Sequence, residues 1–235
     1  MVQKRSDLKI LKLEGRDVPL AVRRVRHARN MTLRLDEASG AFRLSLPYGV
    51  ALADGLAFAE RRGPWMAAQL ASLPPRIAFR AGAVIPILGL DHRIRHDRQA
   101  RRGVWREPGQ LWVSGFPEHL PRRVADYLKA EARRELSRRA LAKAEAIGRR
   151  VAKITLRDTR SRWGSCTAEG QIAFSWRLIL APEAVLDYVV AHEVAHLAHL
   201  DHGPGFWRLA ATLTADVAGP RRWLKNNGGS LLRYG

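Results

Sequence analysis

The chain has 235 residues, 46% hydrophobic and 27% charged, which fits one large or two small globular domains whose core needs no covalent staples. A single cysteine excludes an internal disulfide framework and fits a reducing compartment. Neither a signal core nor an apolar run long enough to cross a bilayer is present, so a cytoplasmic protein with no membrane partner is expected. The formal charge of +19 favours polyanionic partners, nucleic acid among them, unless the whole surface is simply basic; the arginines are spread along the chain with no separate basic tail.

Residues 8–46 alternate apolar and polar positions in four short runs, broken by Glu14-Gly15-Arg16-Asp17 and Asp36-Glu37-Ala38-Ser39-Gly40. This pattern predicts hairpins in a small antiparallel sheet, with Arg23, Arg24, Arg26 and Arg29 on a solvated face. Residues 53–73 read as helical, with Phe58, Trp65, Met66 and Leu70 as apolar positions. Gly63-Pro64 must interrupt that helix, because proline removes a hydrogen bond and clashes with the preceding turn. Residues 84–94 and 111–114 read as strands around a mobile, arginine-rich loop at 97–109. His92 and His96 fall in this strand-like context without a neighbouring glutamate and read as ordinary polar positions.

Gly115 to Pro121 is the expected boundary, dividing the chain into a β-rich portion with one helical segment at 1–116 and a second portion at 117–235. A long amphipathic helix is predicted over 121–147 from Val124, Leu128, Leu136, Leu141 and Ile147. Two strands, 154–160 and 171–176, follow around Trp163-Gly164-Ser165-Cys166. Cys166 reads as a small buried apolar group; a thiol nucleophile would leave the glutamate described next unexplained.

A helix should then start at Pro182, with Leu186, Val189 and Val190 on a buried side, and stop at Gly203-Pro204-Gly205. It carries His192-Glu193-Val194-Ala195-His196. The two histidines, one turn apart, project from the same face and can share a zinc ion, with Glu193 placed to take a proton from water there. A third ligand comes from His199 or His202. Three imidazoles along one straight ridge approach an ion almost in a plane, whereas zinc wants a tetrahedron with one open corner. His202, near the expected helix end, can come in from another direction and is the choice; His199 is read as a partly buried neighbour.

The run Thr159 to Cys166, the segment Trp176 to Pro182, the histidine helix and Phe206-Trp207 together resemble the YgjP-type metallopeptidases, relatives of the SprT-like zinc peptidases. The resemblance is dense over 154–224 and looser before it. It implies an α+β fold in which the antiparallel β-rich portion precedes a zincin-like catalytic domain, the 121–147 helix packing beside the active-site helix. It also implies one zinc ion on His192, His196 and His202, Glu193 as catalytic acid and base, and a protein or peptide substrate. In zincins an edge strand binds the substrate backbone, and 171–176 is the candidate. Arg160 and Arg162 either steady a substrate carbonyl or developing oxyanion, or form structural ion pairs. A second reading is a basic DNA-associated binding protein with a structural zinc; a DNA-recruited protease combines the two.

Overall fold

The alternating runs near the start fold into β1 (Asp7–Leu13), β2 (Arg16–Val25), β3 (Thr32–Asp36) and β4 (Ala41–Pro47) of one sheet. These coordinates are a computed structural model that describes residues 7–13, 15–37 and 39–235. Two units emerge, Met1–Pro75 and Arg76–Gly235, in a mixed α+β fold with six α-helices among the described residues. No helix of these residues is long and apolar enough to cross a membrane.

In the first unit the strand order is β1-β2-β4-β3. The two predicted hairpins form, but β2 and β4 run parallel, with Leu20 opposite Phe42. The sheet is therefore mixed rather than antiparallel. Alternation decides which side chains face inward and says nothing of strand direction. The inward set of Leu11, Leu20, Phe42, Leu44 and Leu46 packs with Ala59 of α1 (Leu52–Arg61) and Met66 of α2 (Gly63–Ala71). The helix breaks where Gly63-Pro64 requires, and Pro64 sits in the first turn of α2, where its missing N–H costs nothing.

The second unit opens with β5 (Val84–Ile87), β6 (Leu90–Asp97), β7 (Val104–Glu107) and β8 (Gln110–Ser114), in the order β5-β6-β8-β7. The single strand expected at 84–94 is a hairpin. Its two turn residues, Leu88 and Gly89, have φ of 52° and 81°, the left-handed pair that a tight hairpin turn demands. A leucine in that place hides the turn from a sequence reading. The segment expected as a loop at 97–109 likewise contains β7. His92 and His96 are structural, donating ring N–H bonds to the carbonyls of Leu90 and Gly115, each at 2.7 Å.

The long helix α3 (Leu120–Ala146) follows within two residues of its predicted bounds. Its Val124, Leu128 and Leu136 share one core with Ile85, Ile94, Leu111 and Val113 of the sheet. The boundary expected at Gly115 to Pro121 therefore falls inside the second unit, and the division lies after Pro75. A third sheet is built from β9 (Lys153–Arg157), β10 (Gly164–Cys166) and β11 (Gln171–Ser175), ordered β10-β11-β9. The strand at 171–175 is thus central; the edges are β9 and β10. The chain then runs through α4 (Glu183–Ala195), α5 (Pro204–Leu213) and α6 (Ala218–Leu231).

Candidate active site

The histidine helix α4 is more deeply set than a one-sided apolar stripe implies. Val185, Leu186, Tyr188, Val189, Val190, Ala191, Val194 and Ala195 are all buried, because α3, α5, α6 and β10 surround it. A helix apolar nearly all round is a core helix. Its start is held at several points. Pro182 is the N-cap residue, one position before the expected first turn, and its carbonyl accepts from the N–H of Val185 and Leu186. The Leu88 N–H at the hairpin tip reaches the Ile179 carbonyl at 2.8 Å. From α3, Arg139 and Lys143 both bond Asp187, at 3.3 and 3.1 Å, and Arg139 also pairs with Glu183.

The helix ends at Ala195, well before Gly203. Leu197 and Ala198 close tight turns back to Val194 and Ala195, and the His196 ring donates its Nδ1–H to the His199 carbonyl at 2.9 Å. This side chain–backbone bond, between residues three apart, lies in the turn where the helix stops. The bond also leaves the Nε2 lone pair of His196 free to coordinate.

Early termination decides the geometry of the histidines. Ring nitrogens of His192, His196 and His202 lie within 4.8 Å of one another. The two Nε2 atoms of His192 and His202 face each other at 3.1 Å. Donor nitrogens this close together could hold one metal ion, and an all-imidazole set suits a borderline transition metal. Phe206 of α5 is fully buried beneath the group, with ring centroids 4.9, 4.6 and 4.7 Å from His192, His196 and His202. The ring of His199 lies elsewhere, against Gly205, where a Cβ would come within 3.1 Å of it. What His199 contributes to the cluster is its backbone carbonyl.

Electrostatics favour neutral, ligand-ready imidazoles. Burial, reinforced by His196, His202 and Arg221, pushes His192 down to about 4, and its buried Nδ1 has no hydrogen-bond partner. Burial also lowers His196, although the His199 carbonyl opposes this. Glu193 is only 5% exposed. Burial raises its carboxyl to about 7, with the Arg162 charge pulling the other way. A carboxyl poised near neutrality suits an acid–base role. Cys166 is no thiolate: burial, then the Glu193 charge, push it up to about 11.

The strand beside Glu193 is β10, which packs on α4, so the edge strand at this site is β10 rather than the expected 171–176 segment. A Cβ on Gly164 would lie 2.5 Å from Cγ and 2.6 Å from Cδ of Glu193. Glycine inside a strand commonly marks such close approach, and that signal was present in the sequence. Arg162 and Arg160 are both exposed in the loop before β10, and Arg162 is close enough for its charge to act on Glu193. Trp163, Trp176, Phe206 and Trp207 pack in or against the core as expected; Phe206 has the added position under the three histidines.

A family model described as YgjP-like, metallopeptidase domain, matches residues 29–227. No curated protein and no solved structure matches the chain.

Proposed function

The chain belongs to the YgjP-like metallopeptidase family, and on that premise we propose that it is a zinc-dependent peptidase with a zincin-like catalytic portion. The observation that carries the reading is the meeting of His192, His196 and His202 beside the buried Glu193. In this reading the three imidazoles hold one zinc ion, the nitrogen donor set that zinc prefers. Zinc bound there would supply a Lewis acid that polarises a carbonyl and lowers the pKa of water toward neutrality.

The chain's own groups do the rest. Glu193 accepts a proton from the attacking water as its oxygen bonds to the scissile carbonyl carbon, and returns that proton to the amine as the C–N bond breaks. Its near-neutral carboxyl can do both. An extended substrate pairs its backbone with the free edge of β10, which gives sequence-tolerant binding. In this reading Arg162, exposed and near enough for its charge to act on Glu193, and Arg160 in the same loop contact the substrate.

Glu193→Gln tests the assignment. The variant should retain zinc and lose peptide hydrolysis by at least a hundredfold. Undiminished cleavage removes Glu193 from the mechanism. The +19 charge supports a further proposal, that nucleic acid is a partner. Duplex DNA binding that weakens steeply between 50 and 200 mM salt is its expected signature, and no binding at the lower salt rejects it.

A further inference from the structure

We propose that the cavity beside β10 is a specificity pocket for an acidic side chain, Asp or Glu, of the peptide substrate; this rests on the peptidase reading above. The cavity holds about 240 Å³ and is lined by Arg157, Thr159, Ser161, Arg162 and Ser165 around Gly164. Gly164 ties it to the chemistry, since the same residue lies against the carboxylate of Glu193.

A peptide paired along β10 alternates its side chains between the two faces of the sheet. Gly164 stands opposite Phe174, on the face turned to α4, and Ser165 stands opposite Ala173, on the other. A substrate side chain that falls on the Ser165 face meets the cavity within a residue or two of the bond beside Glu193.

Two guanidiniums and three hydroxyls line the space, and no carboxylate does. Elsewhere in this unit Arg139 is paired with Glu183 and Asp187, and Arg177 with Asp158. Arg157 and Arg162 have no carboxylate within ion-pair distance among the described residues, so their charge is available to a ligand. The loop that presents Arg162 is pinned, the Thr159 hydroxyl donating to the Arg162 carbonyl at 2.7 Å. A planar guanidinium fork matches a carboxylate better than any neutral group.

The test is a C-terminally amidated, randomised peptide library digested by the zinc-loaded protein, with cleavage products sequenced by mass spectrometry. Asp and Glu should be enriched at one position within two residues of the cut. Matched Asp and Lys peptides at that position should then differ at least tenfold in kcat/KM, about 1.4 kcal/mol. Arg157→Glu should reduce that ratio at least tenfold, and the milder Arg157→Gln should reduce it less. Arg101→Glu, the same charge change at an exposed loop position outside the cavity, should leave the ratio as it is. Acid enrichment spread evenly over all positions marks the overall positive field and overturns the pocket. So does a library cut without acidic preference, or an Arg157→Glu ratio equal to that of the unaltered protein. A library left wholly intact overturns the peptidase reading and the pocket with it.

Discussion

Gly164 on β10 and Glu193 on α4 are in contact through a space that no other residue type leaves open: a methyl group on Gly164 would overlap the Glu193 side chain. Gly164→Ala must therefore move the carboxylate or push β10 off the helix. A misplacement of about 1 Å costs on the order of a hundredfold in rate. We expect kcat to fall by about that factor while zinc content, measured by elemental analysis, stays near one per chain. A Gly164→Ala protein with full kcat would mean that Glu193 is free to move, or idle.

The raised carboxyl of Glu193 predicts a stability effect in metal-free protein. Unfolded, the group titrates near 4.5; folded, it holds its proton to about 7. Its contribution is therefore most favourable below pH 4.5 and is lost as pH rises toward 7, because a buried charge must then be carried. The shift corresponds to a few kcal/mol at most. Chelator-treated Glu193→Gln should melt several degrees above the parent at pH 8, with the gap nearly closed at pH 5. Equal melting temperatures at pH 8 contradict the burial argument.

Metal content separates the two histidines that compete for the third ligand position. His202→Ala removes a donor from the cluster and should bind zinc at least a hundredfold more weakly. His199→Ala keeps the backbone carbonyl that orients His196, so its zinc affinity should change less than tenfold. Competition with a chromophoric chelator measures both. The reverse order of effects rejects His202 as a ligand.

Asp187 joins α4 to α3 through Arg139 and Lys143, whose side chains are 12% and 17% exposed. Its removal leaves two cations short of a partner in a largely enclosed place. Asp187→Ala should destabilise the protein by about 1–3 kcal/mol in urea unfolding. Asp187→Asn should recover part of that loss.

Features written in local pattern were legible in the sequence. The α1–α2 break follows from the chemistry of one proline, α3 from its apolar spacing, and the His192–His196 pair from helical geometry. Features that depend on distant partners were not. The parallel β2–β4 pairing and the central place of β11 are choices between strands that local alternation leaves equal. One local feature was hidden too: residues 196–199 look helical because their apolar pattern does not mark the turn in which the His196 ring donates to the His199 carbonyl. Even so, the tetrahedral demand of zinc pointed to His202, which the early helix end brings beside His192.

β10 is only three residues long. At about 3.3 Å per residue it spans about 10 Å, room for two or three main-chain bonds to another chain. An edge that short makes a poor template for sheet growth between copies, so the protein can keep the outer edge of β10 open beside Glu193 without inviting aggregation.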